Sequence, residues 1–257
     1  VNANNPMELS FADDYSQIKS MIWAPGAGVT GFSALGEILK GDVDPSGRTV
    51  DTFVKDLQQT PYINNIGNHS YSNVDDLKKA IVAADESAEG NISFVNYAEG
   101  IYTGYKFYET AAEEGFLNYE DTVQYPFGYG LSYTSFTQSM ENFKDNGNQL
   151  SFDVEVKNTG KVAGKDVVQV YFTPPYYNGG IEKSAVNFID FGKTKLLNPG
   201  ESEKLSFTIN KEDLASYDSE GIKVKGGGYI LEAGDYKISI RENSHKEIAS
   251  ESFTIAA

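Results

Sequence analysis

Glu99 is the carboxylate in this sequence best placed to do chemistry. It stands in Tyr97-Ala98-Glu99-Gly100-Ile101-Tyr102-Thr103-Gly104-Tyr105-Lys106, among aromatic residues able to bury it. Burial raises the pKa of a carboxyl group and can tune it for proton transfer near neutrality. Burial suits a fixed ion pair equally well, and the favoured reading makes Glu99 a packing residue paired with a buried cation such as Arg48. Asp13-Asp14 and Asp75-Asp76 read more simply as solvated loop or helix-start charges. The two histidines lie in Asn68-His69-Ser70 and Ser244-His245-Lys246, both polar and loop-like. Neither belongs to a G-x-S-x-G elbow, so a serine-nucleophile triad fails. With two histidines and no cysteine, a multi-histidine or thiolate metal centre is excluded, and no metal or cofactor is expected. Gly26 and Gly28 make no G-x-G-x-x-G and read as tight strand–helix packing.

Aromatic rings are the other chemically useful group. Trp23 reads as core, because it falls in an apolar run. Tyr176-Tyr177-Asn178-Gly179-Gly180 follows Pro174-Pro175 and reads as a loop, where exposed rings mark contact surfaces. An interdomain contact is the favoured use, with sugar stacking as the other.

Two regimes of sequence must position these residues. Up to about Pro126 the periodicities are mixed. Ile18 to Ala24 is a short apolar run expected to be a buried parallel strand, ended by the turn Pro25-Gly26-Ala27-Gly28. Thr30 is then expected to cap a helix with Phe32, Leu35, Ile38 and Leu39 on one face, closed by Gly41. A second helix is expected from Asn73 to about Asp85 and a third from Ile101 to Glu113. One strand is too few for a free-standing α/β domain, so material before Val1, or another chain, is expected to cover the sheet. A first residue of Val1 rather than Met points the same way, to a trimmed chain or an excerpt of a longer one.

The second regime is β. Leu150, Phe152, Val154 and Val156 alternate with polar residues, and so do Leu205, Phe207 and Ile209. Val168, Val170 and Phe172 run into Thr173-Pro174-Pro175. Tyr236, Ile238 and Ile240 follow Gly234-Asp235, and Phe253 with Ile255 comes last. Short strands between turn signals over about 120 residues predict an immunoglobulin/fibronectin type III-like sandwich.

Composition bounds the rest. The 257 residues are 40% hydrophobic and 13% aromatic, enough for two cores. A formal charge of −16 argues against nucleic acid or an anionic membrane as partner, since either would repel it. No apolar run approaches the roughly 20 residues of a membrane-spanning helix. Nothing in the sequence points to one compartment.

Four stretches in order carry a resemblance. Trp23-Ala24-Pro25-Gly26-Ala27-Gly28 with Ala34, Leu35, Ile38, Leu39 and Gly41 forms the first, and Asp44-Pro45-Ser46-Gly47-Arg48-Thr49 the second. The third is Tyr97 to Lys106, and the fourth Pro126-Phe127-Gly128-Tyr129-Gly130-Leu131-Ser132-Tyr133-Thr134. Together they resemble family 3 glycoside hydrolases of the β-glucosidase kind. The resemblance implies residues 1–130 as the C-terminal part of an α/β sandwich domain and residues 131–257 as a fibronectin type III-like β-sandwich. It assigns Arg48, Glu99, Phe127, Gly128, Tyr129 and Gly130 to structural motifs, with Lys106 standing where the family carries Arg.

Retaining glycosidases need two facing carboxylates about 5 Å apart. In the resembled family the nucleophilic Asp lies on a (β/α)8 barrel and the acid/base Glu further upstream in the sandwich. Neither is carried over to a residue here. The resemblance therefore implies a non-catalytic segment whose partner is the barrel domain, in the same polypeptide or a companion chain. The assembled site would take a β-linked gluco-oligosaccharide or aryl glucoside. In some members the barrel follows the fibronectin-like domain. The other reading is a free-standing carbohydrate-binding or interaction module.

Overall fold

The computed structural model describes residues 1–65, 67, 69–84 and 92–256. Helix α1 spans Phe32–Lys40, and Gly41 closes it in the left-handed region at φ 83°. It starts from Gly31, not with Thr30 as side-chain cap. Thr30 instead accepts the Ser33 hydroxyl on its carbonyl at 2.8 Å. No residue of α1 is buried: Phe32 is 49% exposed and Leu39 69%.

The expected strand over Ile18–Ala24 is absent. This segment joins no sheet among the described residues and instead bonds to the first residues of the chain. The amide of Ala24 donates to the Val1 carbonyl at 2.9 Å, and the Trp23 indole N–H donates to Ala3 O at 2.6 Å. An apolar run supplies side chains for a parallel strand but not the neighbours whose backbone must pair with it. Trp23 does pack inward, edge-on to Phe53 at 5.2 Å.

Strand β1, Phe53–Val54, pairs antiparallel with β2, Val123–Tyr125. Between them lie helices α2 (Val74–Ala84), α3 (Tyr105–Glu113) and α4 (Tyr119–Thr122). Helix α2 begins directly after Asn73, whose carbonyl accepts from Asp76 and Leu77; Asp85 lies outside the described residues. Helix α3 starts at Tyr105 rather than Ile101, because residues 98–104 are spent on turns. Val54, Tyr108, Tyr119 and Val123 form a small core backed by Leu57, Phe107, Ala112 and Leu117.

The sandwich has two antiparallel sheets. Its strands are β3 (Phe136–Asp145), β4 (Gln149–Asn158), β5 (Val167–Thr173), β6 (Asn187–Lys193) and β7 (Ser202–Asn210). They continue with the hairpin β8 (Ser216–Asp218) and β9 (Gly228–Ile230), then β10 (Gly234–Arg241) and β11 (Glu247–Ile255). One sheet runs β11-β10-β5-β6 and the other β3-β4-β7. The alternating apolar residues read from the sequence are the ones that meet between the sheets. Leu150, Val154, Val156, Val168, Val170, Ile238 and Ile240 are fully buried there. A four-on-three antiparallel arrangement with one inward face per strand is the immunoglobulin-like architecture. The chain is thus a mixed α/β region followed by an all-β sandwich.

Candidate functional site

Residues of the second and fourth motifs, with Tyr105 of the third, gather at the seam between these two parts. Thr49 and the turn 126–130 close on each other through four bonds. The Thr49 amide donates to Tyr129 O at 2.8 Å and the Gly128 amide to Thr49 O at 2.8 Å. The Thr49 hydroxyl donates to Pro126 O at 2.6 Å while accepting from the Tyr129 amide at 3.0 Å. On its other side the turn grips the sandwich. The Gln169 side-chain amide donates to Gly128 O and to Glu242 O, each at 2.9 Å, and the Ser244 amide donates to Phe127 O at 2.9 Å.

Both glycines of the turn are demanded by this closeness. Gly128 lies at φ 82°, and a Cβ there would sit 2.0 Å from Gln169 Oε1. A Cβ on Gly130 would sit 2.4 Å from the Gly47 carbonyl. Phe127 stacks on Tyr105 at 4.8 Å and meets Phe188 edge-on at 5.5 Å. The Tyr105 hydroxyl accepts the Phe188 amide at 2.8 Å, so α3 is stitched to β6. Asp44 does similar work further along, accepting from the Ser132 hydroxyl at 2.9 Å and the Tyr133 amide at 2.6 Å.

Arg48 does not pair with Glu99. Its Nη2 meets Asp166 Oδ1 at 2.7 Å, with the Asp166 side chain 7% exposed. The second oxygen of Asp166 accepts from Gln138 at 2.8 Å. Glu99 is half-buried and accepts instead from the Asn65 side-chain amide at 3.3 Å. The physical reason is reach. The Asp44-to-Thr49 turn faces the sandwich, whereas Glu99 belongs to the turns before α3.

A second polar cluster was not read from sequence. Glu109 on α3 is buried and accepts three bonds: from the Tyr119 hydroxyl at 2.8 Å, the Ser244 hydroxyl at 2.7 Å and His245 Nδ1 at 2.9 Å. The His245 ring lies flat on Tyr119, centroids 3.6 Å apart and planes 8° from parallel. A carboxylate only accepts, so Nδ1 carries the proton. The hydrogen bond to Glu109 raises the His245 pKa above its ordinary value, against the opposing effect of burial. Burial, reinforced by Glu109, pushes the Tyr119 phenol far up. His245, which looked like a free loop residue, is the cap of an interdomain cluster. Nothing local in Tyr108-Glu109-Thr110 announces this, since two of the partners, Ser244 and His245, are 135 and 136 residues away.

The loop from Pro174 to Ala185 borders the same seam. The Ala185 amide donates to the Thr110 hydroxyl at 3.0 Å, and the Tyr102 hydroxyl donates to Glu182. Tyr176 and Tyr177 are half exposed, and the Tyr177 hydroxyl donates to Ala233 O at 2.9 Å. Lys106 is half-buried, which lowers its pKa. Among the described residues no group of three or more His, Asp or Glu side chains is placed to hold a metal ion. None of their helices is long and apolar enough to cross a membrane.

Comparison with known proteins fits this geometry. Residues 1–105 match the model of the glycosyl hydrolase family 3 C-terminal domain, and residues 166–244 that of the fibronectin type III-like domain. The chain is 35% identical to a β-glucosidase of Ruminococcus albus over 92% of its own length and 21% of that protein. It is 33% identical to β-glucosidase A of Butyrivibrio fibrisolvens over 92% of its length and 27% of that protein. It therefore spans roughly a quarter of these relatives. The solved β-glucosidase of Paenibacillus barengoltzii superposes with a TM-score of 0.77 at 34% identity, over 99% of this chain and 25% of that one. β-Glucosidase 3B of Thermotoga neapolitana in complex with glucose also gives 0.77, at 30% identity, over 100% of this chain and 30% of that one. Two family models in the expected order, and β-glucosidases superposing across the seam as well as on either side of it, place the chain in glycoside hydrolase family 3, as its C-terminal domain joined to a fibronectin type III-like domain.

Proposed function

We propose that this chain is the supporting segment of a retaining β-glucosidase-type exo-hydrolase. Residues 1–130 form the C-terminal part of the α/β sandwich domain and residues 131–257 the fibronectin type III-like buttress. The nucleophilic Asp and the acid/base Glu come from a (β/α)8 barrel and the rest of the sandwich, in the same polypeptide or a companion chain. The assembled site cleaves a terminal β-linked glucosyl unit from a gluco-oligosaccharide or aryl glucoside.

One observation carries the supporting role. The α/β portion is tied to the sandwich by the bonds of the 126–130 turn, while several of its large apolar groups stay in solvent. Leu39 and Val50 are each 69% exposed, Tyr97 74% and Val29 99%. Such a surface needs cover from further protein. The test is hydrolysis of a chromogenic β-glucoside by the 257-residue chain alone and together with a polypeptide carrying the barrel. Hydrolysis only by the assembly supports the reading. Turnover by the chain alone, abolished by Glu99→Gln, overturns it.

A further inference from the structure

A groove of about 580 Å³ runs between the C-terminal end of α3 and the 174–185 loop. That volume lies within the range of about 300–1,000 Å³ usual for small-molecule clefts. Four aromatic residues, Tyr102, Phe107, Phe116 and Tyr176, and three carboxylates, Glu113, Glu114 and Glu182, are among its lining.

Phe116 is held out in an unusual way. The Phe116 amide donates to Ala111 O at 2.8 Å and Gly115 sits at φ 75°, the backbone of a Schellman helix stop. In that motif the residue at the Phe116 position ordinarily folds back onto the helix. Here its ring remains 83% exposed. Across the groove Tyr176 is 47% exposed on a well-anchored loop. The anchor is Lys183, whose side chain is 2% exposed and bonds both Glu232 at 2.5 Å and Pro175 O at 2.6 Å. Glu182 and, more weakly, Glu114 raise the pKa of the Tyr176 phenol, so carboxylates from both banks act on the same space. Flat rings with adjacent acceptors match a pyranose, whose C–H face stacks on aromatic carbons while its vicinal hydroxyls donate to carboxylate oxygens.

We propose that this groove is a sugar-binding site that holds the outlying units of a β-linked gluco-oligosaccharide; the identity of the sugar rests on the β-glucosidase reading above. It is an anchoring site and takes no part in bond cleavage. Tyr176 and Phe116 supply stacking faces, and Glu182, already oriented by the Tyr102 hydroxyl, supplies an acceptor.

The test is calorimetric titration of the 257-residue chain with cellopentaose. The expected Kd is about 1 mM, the weak end of specific recognition. Tyr176→Ala or Phe116→Ala weakens binding about tenfold, as loss of one stacking face should. Both rings are exposed, so the fold survives their removal. Tyr229→Ala, on the 78% exposed ring of the β8–β9 hairpin, leaves binding unchanged. Absence of cellopentaose binding, or equal weakening by Tyr229→Ala, overturns the proposal. So does binding of choline in preference, since that would make the groove a cation site. Hydrolysis by the barrel-containing assembly without cellopentaose binding to the chain removes the groove alone. Binding to the chain, with no hydrolysis by the assembly, removes the proposed function and spares the groove.

Discussion

Arg48 Nη2 and Asp166 Oδ1 meet at 2.7 Å, one on the turn after helix α1 and the other at the mouth of strand β5. Truncating one member of a shielded ion pair costs more than the pair is worth, because the other charge stays behind. Arg48→Ala is expected to lower the unfolding free energy by about 3 kcal/mol, the low end for such pairs, since Gln138 still serves Asp166. Asp166→Asn should cost less, because the amide oxygen can still accept from Arg48 Nη2 and the charge left behind, on Arg48, is the more exposed of the two at 18% against 7%. Urea denaturation of the two variants checks the order.

The His245–Glu109 bond predicts a pH dependence. A histidine whose pKa is higher folded than unfolded contributes stability that is complete below its unfolded value of about 6.5. That contribution disappears as pH rises through the folded value. Thermal midpoints should therefore fall on going from pH 6 upward, and the slope should flatten in Glu109→Gln, which removes the main cause of the shift. Glu120 adds to the shift and Arg241 opposes it. An unchanged slope would assign the effect to other groups.

Gly128→Ala is expected to open the seam. A side chain in left-handed backbone costs about 1–2 kcal/mol, and here the added Cβ would also meet Gln169 Oε1 at 2.0 Å. Gln169→Ala should relieve the contact and not the backbone strain, so the double variant recovers only part of the loss. Stability of the two single variants and the double variant measures that coupling.

Asp218 makes a local prediction. Its carboxylate accepts from the amides of Ile222, Lys223 and Val224, at 3.0, 2.7 and 2.9 Å. These bonds hold its pKa below the usual carboxylate range, the Val224 amide contributing most. The stabilisation is present above the unfolded value of about 3.9 and is lost as pH falls through the lower folded one. Hydrogen exchange should accelerate at those amides in Asp218→Ala and stay slow in the β4–β7 ladder.

What the sequence showed depended on range. Strands β4, β5, β7 and β10 were legible because each turns an apolar residue into the sandwich at every second position, and that period needs no knowledge of partners. Strand β3 was not. Asn142 at φ 55° and the register shift between Glu141 and Lys144 break the alternation between Met140 and Phe143. Ile18 to Ala24 had a strand's composition without a strand's neighbours. The motif words pointed to the seam, yet the residues that grip them did not stand out. Asp166 is 118 residues from Arg48, and Gln169 is 41 from Gly128. A buried Glu109 looks in sequence like any carboxylate on a helix.

The seam also bears on how this protein can be recombined. A cut at residue 130 is the obvious place to transplant the sandwich onto another enzyme. It would part Asp166 from Arg48, Gln169 from Gly128 and the Ser244 hydroxyl from Glu109. A chimera that keeps these bonds must exchange residues 44–49 and 105–130 together with the sandwich, so the unit of inheritance is wider than the unit of fold.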